Sequence, residues 1–153
     1  MLGSRLTARW LLFVTALLIG CGGSSPTDED DETGHPHAAM VGLWIFQSAT
    51  ENGNSIPLAD ALAWLPATVQ ARLNVEANGG YQYEEVDQAG GQVWIEYGFA
   101  FVDQEGGTIE LNVQGDSDGP ASDEVLLNYT LGAGVLSLET LEGGSTVVFT
   151  LTS

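Results

Sequence analysis

The densest group of possible metal ligands is the acidic segment at residues 115–124, which reads GDSDGPASDE. Carboxylates spaced as Asp-x-Asp-Gly form part of a calcium-binding loop. If Gly119 takes the sixth position of an EF-hand loop, Gln114 and Val125 take the first and last positions, where acidic ligands are required. The pattern therefore fails, and we interpret the segment as a solvated hairpin loop without a metal.

A second group is the pair His35 and His37, which are separated by Pro36. Two imidazoles could contribute to a metal site, but such a site needs further ligands. We therefore interpret the pair as part of a solvated tether. The chain has no nucleophile elbow, phosphate-binding loop or metal-ligand cluster, and no histidine follows His37. We predict that the protein is not an enzyme and uses no cofactor.

Cys21, the only cysteine, ends an apolar run that follows Arg5 and Arg9. The run, residues 10–19, is too short to cross a bilayer of about 30 Å as a helix. Residues 18–21, LIGC, resemble the bacterial lipobox, in which the cysteine is lipidated and becomes the mature N-terminus. The resemblance implies that residues 1–20 are a lipoprotein signal peptide and that lipid on Cys21 anchors the chain to a membrane.

The residues after Cys21 refine the expected location. Gly22, in place of an acidic residue, resembles lipoproteins sent to the outer membrane of Gram-negative bacteria. We therefore expect the protein in the cell envelope, facing the periplasm or the exterior. We predict that residues 21–40 are a flexible linker, because small residues are followed by a self-repelling acidic run at residues 28–32.

The charge balance excludes two classes of partner. Beyond residue 20 the chain has 21 acidic residues against Arg72 alone, a formal charge of −20 with histidine neutral. Such a field repels nucleic acid and anionic lipid headgroups, so we predict no binding to either. It would attract cations or a basic protein, or it could serve solubility alone.

From Val41 onward, apolar and polar residues alternate as they do in strands with one buried face. Glycine-rich turns separate most of these segments. We predict eight strands, at residues 41–49, 69–75, 81–83, 93–102, 108–113, 124–131, 135–140 and 146–152. Gly98, within the fourth segment, predicts a bulge or bend.

Short turns favour antiparallel neighbours in sequence order. We therefore predict that residues 41–153 form an all-β domain, an eight-stranded antiparallel up-and-down barrel. The interior of such a barrel is filled by side chains or holds one small ligand. Residues 58–65 depart from the strand pattern, since leucines recur at helical spacing after Pro57. They predict one short helix between strands 1 and 2, packed at the barrel mouth.

Several motifs occur in an order known from one protein family. The motifs are GLW at residues 42–44, LNVEANGGYQY at 73–83, GFAF at 98–101, YTL at 129–131 and LSL at 136–138. Together they resemble the small bacterial lipocalin-like (calycin) domains that are found on lipoproteins. The resemblance implies a lipocalin-like barrel and a small hydrophobic ligand.

The ligand-binding candidates are aromatic residues that we expect on the inner face of the barrel. They are Trp44, Phe46, Tyr81, Tyr83, Phe99, Phe101 and Tyr129. Trp44 is also explained as a core residue that plugs the closed end. We expect the protein to bind a small apolar ligand or to have a structural role in the envelope. The alternative is an acidic barrel that binds a basic protein, such as an inhibitor of a basic cell-wall hydrolase.

Overall fold

The computed structural model describes residues 36–62, 65–142 and 144–153. The predicted signal peptide, Cys21 and most of the predicted linker, with His35, lie outside the described residues. In the described part of the chain, no helix has the length and apolarity of a membrane span.

The described elements are nine strands and two short helices. A 3-10 helix spans Ala38–Met40, and the α-helix α1 spans Leu58–Ala61. The strands are β1 (Gly42–Glu51), β2 (Asn54–Ile56), β3 (Gln70–Val75), β4 (Gly80–Val86), β5 (Gln92–Asp103), β6 (Thr108–Asp116), β7 (Gly119–Gly132), β8 (Val135–Glu142) and β9 (Ser145–Thr152).

The sheet closes on itself. From β3 to β9 each strand pairs antiparallel with the next one in sequence, and β1 pairs with both β3 and β9. Closure satisfies the strand edges that an open sheet would expose. The predicted all-β, eight-stranded antiparallel up-and-down barrel is therefore confirmed. Every pairing of the described strands lies within residues 42–152, and these pairings close the barrel.

The structure adds detail to the segment between the first two predicted strands. Strand β2 extends β1 into a hairpin, with Glu51 opposite Asn54, and was not predicted. The helix ends with Leu62 at its C-cap, which is earlier than the predicted end at residue 65. Residues 63 and 64 lie outside the described part. Pro57 is the N-cap, immediately before the helix, in extended conformation.

One end of the barrel is closed by the 3-10 helix and Trp44. Met40 is fully buried and Trp44 is 3% exposed. The Trp44 indole Nε1–H donates to the Met40 carbonyl over 2.7 Å, which satisfies both buried polar groups. The expectation that Trp44 plugs the closed end agrees with this position.

The acidic segment at residues 115–124 is more regular than expected. Strand β6 continues to Asp116 and β7 starts at Gly119, with these two residues paired. Only Ser117 and Asp118 connect the strands. The interpretation as a hairpin agrees with the structure, but most of the expected loop is strand. We refer below to Asp116–Gly119 as the β6–β7 tip.

Candidate ligand-binding cavity

The barrel interior is hollow. A cavity of about 630 Å³ lies within it, on the side of Trp44 away from the 3-10 helix. The cavity reaches the surface, because its lining includes the exposed residues Leu65, Ser117 and Asp118. A volume of this size is at the lower to middle part of the range for small-molecule sites, about 300–1,000 Å³.

Most of the cavity wall is apolar or aromatic. The apolar and aromatic lining residues are Phe46, Leu62, Leu65, Leu73, Tyr81, Tyr83, Val93, Trp94, Leu111, Val113, Leu127, Leu138 and Phe149. The Phe46 ring meets the Tyr83 ring edge to face, with centroids 5.8 Å apart, and meets Phe149 in the same way at 5.7 Å. Such geometry is favourable for aromatic pairs and holds this part of the wall in place.

Carboxylates line the cavity towards its open end. Glu96 on β5 lies directly opposite Asp116 on β6, and Asp123 on β7 lies opposite Val113. All three carboxylate side chains line the cavity. The Tyr81 hydroxyl donates to Glu96 Oε1 over 3.0 Å. Like charges opposite one another across strands are destabilising, so the fold carries this cluster at a cost in stability.

The surroundings change the proton affinity of this cluster. Burial raises the pKa of Glu96, the Tyr81 hydrogen bond lowers it, and the charges of Asp116 and Asp123 raise it further, with a net rise. Burial, followed by the charge of Glu96, also raises the pKa of the Tyr81 hydroxyl well above its usual range. The Tyr81 hydroxyl therefore stays a hydrogen-bond donor at neutral pH.

Glu85 connects the mouth of the barrel to its wall. It is 4% exposed, and Thr68 Oγ1 donates to its Oε2 over 2.7 Å. The Leu65 backbone N–H donates to the same oxygen over 3.3 Å, and the Tyr83 hydroxyl donates to Oε1 over 3.1 Å. These bonds hold the segment after α1 against β4. Two leucines at this segment, Leu62 and Leu65, line the cavity, and Leu62 is buried.

The structure brings three of the seven predicted ligand-binding residues to the cavity: Phe46, Tyr81 and Tyr83. Trp44 and Tyr129 are not part of its lining. Tyr129 follows the inward positions Val125 and Leu127 on β7 and packs against the core beyond the cavity.

The inward positions predicted for Phe99 and Phe101 were wrong. Gly98 and Ala100 are the buried residues of this part of β5, and the rings alternate with them on the outer face. The physical reason is space, because a Cβ on Gly98 would overlap the Asn112 carbonyl and lie 3.0 Å from the Tyr81 ring. Tyr81 occupies the volume that an inward ring at this level would need.

Sequence reasoning missed most of the polar lining and part of the aromatic lining. The missed residues with aromatic or charged side chains are Glu85, Trp94, Glu96, Asp116, Asp118, Asp123 and Phe149. Strict alternation gives the signal for two of them: Trp94 and Glu96 share a face with Gly98 and Ala100. Asp116 follows a register shift between Val113 and Gly115, which alternation does not show.

No basic side chain among the described residues lines the cavity. Arg72, the one arginine or lysine in this part of the chain, lies on the outer face of β3. Its Nε is 2.7 Å from Glu84 Oε2 on β4. Arg72 therefore points away from the cavity. In the described ranges, no group of three or more His, Cys, Asp or Glu side chains is arranged to hold a metal ion.

Comparison of the chain with protein-family models, curated proteins and solved structures finds no match. The closed eight-stranded antiparallel barrel is compatible with a calycin fold. The architecture and the cavity therefore carry what can be inferred about function.

Proposed function

We propose that the protein is a lipocalin-like binding protein of the bacterial cell envelope, anchored by lipid on Cys21, which holds a small, largely apolar ligand in its barrel. The observation that carries the proposal is the cavity of about 630 Å³ with aromatic and aliphatic walls. A hollow, pre-formed and mostly apolar cavity with a few polar groups is typical of small-molecule sites.

The closed end supports binding rather than passage through the barrel. Met40 and Trp44 fill that end, and their hydrogen bond fixes the indole ring across the interior. At the other end, the described residues that line the cavity include Leu62 and Leu65 and the β6–β7 tip. A ligand would therefore enter and leave at the open end.

The anchor part of the proposal depends on the lipobox-like residues 18–21. A lipid anchor with more than one acyl chain holds a protein stably at a membrane. A linker of about 18 flexible residues has a root-mean-square reach of about 25 Å, enough to hold a small domain clear of the surface. The open end of the barrel would remain accessible.

The binding test uses the neutral dye Nile red and residues 22–153, which contain the whole closed barrel. We expect saturable fluorescence enhancement, and native mass spectrometry should show one occupied site. The double variant Leu127→Trp and Leu138→Trp adds two indole rings to the cavity wall. It should weaken Nile red binding at least tenfold by excluding the dye.

The control is the double variant Leu126→Trp and Val135→Trp on the outer faces of the same strands. Leu126 is 65% exposed and Val135 is 38% exposed. This variant should bind the dye like the native protein, and circular dichroism and urea unfolding should show both variants folded. Equal binding by the two folded double variants, or no saturable binding by the native barrel, would contradict the proposal.

The alternative, a basic protein partner, stays a prediction. Acidic residues on outer faces occur on four of the barrel strands, as with Glu84, Glu110, Glu124 and Glu139 on β4, β6, β7 and β8. Such a distribution is expected when charge serves solubility. A single acidic patch on the outer surface would be the expected pattern for a dedicated protein partner.

A further inference from the structure

The cavity has two chemically different parts. Leu73, Leu111 and Leu127 line it towards the closed end, where Leu73 lies opposite Trp44. Glu96, Asp116 and Asp123 line it towards the open end. A ligand that fills both parts must present an apolar body to the first part and a polar group to the second.

Among the described residues, no arginine or lysine lines the second part of the cavity. Beyond residue 20, Arg72 is the only arginine or lysine, and it is paired with Glu84 on the outer face. His37 lies at the closed end, where its Nδ1 accepts from the Ala39 N–H over 3.0 Å. The Tyr81 hydroxyl supplies Glu96 with a neutral donor only. The described residues of the barrel therefore supply no positive charge to these carboxylates.

The aromatic residues near the carboxylates also favour a positively charged ligand. Tyr81, Tyr83 and Trp94 line the cavity on β4 and β5 beside Glu96. Ring faces attract cations, and the attraction is stronger where water is excluded. Carboxylates form charge-assisted hydrogen bonds with N–H donors that are stronger than those between neutral groups.

We propose that the ligand is an amphiphilic organic cation, with its amine or ammonium group at Glu96, Asp116 and Asp123 and its apolar body in the leucine-lined part of the cavity. This inference rests on the proposed function and specifies the ligand class of that same site. Binding removes the repulsion among the three carboxylates, so it stabilises the folded barrel. The same three carboxylates would repel the head group of an anionic amphiphile of the same length.

The test compares three probes with one chain length and different head groups: decylammonium, decanol and decanoate. Each displaces Nile red from residues 22–153 at neutral pH and below its micellar concentration. We expect decylammonium to bind at least tenfold more tightly than decanol, and decanoate to bind more weakly than decanol. Equal affinities for decylammonium and decanol would overturn the inference and leave the proposed function standing. Failure of all three probes and of Nile red would overturn both.

Two triple variants with the same net charge separate the cavity carboxylates from the general acidity of the surface. E96Q/D116N/D123N removes the charge of the three carboxylates proposed to hold the head group, and E110Q/E124Q/E139Q removes the charge of three outer-face positions on β6, β7 and β8. The first should abolish the preference for decylammonium and retain decanol binding. The second should retain the preference. Equal losses in the two variants would overturn the inference.

Calcium chloride separates an organic cation from a metal ion. At millimolar concentration and constant ionic strength, calcium should change the dissociation constant of decylammonium by less than about twofold, because decylammonium binding also depends on apolar contacts. Saturable calcium binding that abolishes the preference for decylammonium, and that is lost in E96Q/D116N/D123N, would replace the proposal with a metal site.

Discussion

Glu96, in the interior of this barrel, lowers the stability of the fold but favours the proposed binding. Glu96 is held by the Tyr81 hydroxyl but faces Asp116 and Asp123, and burial disfavours its charged form. A residue placed at a cost in stability is often explained by function. The Glu96 carboxyl adds nothing to the apolar core, and under the proposed function it would contact the ligand.

Glu96→Gln is expected to raise the free energy of unfolding at neutral pH. A carboxyl with a raised pKa in the folded protein gives stability that is present below its ordinary pKa of 4.5 and is lost as pH rises through the raised value. The Gln side chain has no charge to lose and keeps an acceptor for Tyr81. We expect a gain of up to about 1 kcal/mol, the size of a cross-strand charge pair.

Urea unfolding at a series of pH values checks this expectation. The gain should be small in acid and should grow towards neutral pH. Glu110→Gln is the control, because it removes one charge from the outer face of β6. The same gain in both variants would mean that total charge, and not the surroundings of Glu96, is responsible.

At the scale of the elements, β5 supplies both polar and aromatic parts of the cavity wall. Its inner face carries Trp94 and Glu96 and then the small residues Gly98 and Ala100. The small residues allow Tyr81 on β4 to lie against β5 and to reach Glu96. The strand thus combines a cavity wall at the open end with close packing towards the closed end.

Gly98→Ala is expected to destabilise the barrel by about 1–3 kcal/mol, the usual cost of overpacking. The added Cβ would meet the Asn112 carbonyl and the Tyr81 ring. Gly132→Ala is a matched control, because nothing lies within 4 Å of its Cβ position. It should change stability by less than about 0.5 kcal/mol. Equal effects in urea unfolding would show that the close approach at Gly98 is unimportant.

At the scale of the whole molecule, closure and anchoring are separate properties. The barrel closes within residues 42–152, whereas the predicted lipidation site lies outside the described residues at Cys21. Under the proposed function, we therefore expect the same ligand affinity with and without the lipid. The lipid anchor would determine only the location in the cell at which the barrel binds its ligand.

Anchoring has a direct chemical test in the full chain produced in a Gram-negative host. Mass spectrometry of the N-terminal peptide should show a chain that starts at Cys21, with lipid on its sulfur and an acyl group on its amine. Cys21→Ser should lack both, because serine has no thiol for the thioether. Ser24→Ala should be modified like the native chain. An unmodified Cys21 would contradict the lipobox interpretation.

The sequence alone determined the architecture. Alternation and turns are local properties, so eight strands and their antiparallel order could be predicted from them. The β7–β8 hairpin is an example: Ala133 and Gly134 take φ values of 50° and 74°, which suit a two-residue turn. The Trp44 position also followed from sequence, since a large apolar residue on an inner face is buried.

Tertiary structure decided which side chains face the cavity and that the barrel is hollow. The direction of each side chain, into the cavity or out to the surface, depends on the strand register. A bulge shifts the alternation of every residue beyond it. Asp116 reaches the cavity through such a shift, and Phe99 and Phe101 face outward because Tyr81 and Asn112 approach Gly98. Whether the interior is hollow depends on the total volume of the inward side chains from all eight strands compared with the volume of the barrel. No local pattern in the chain gives that total.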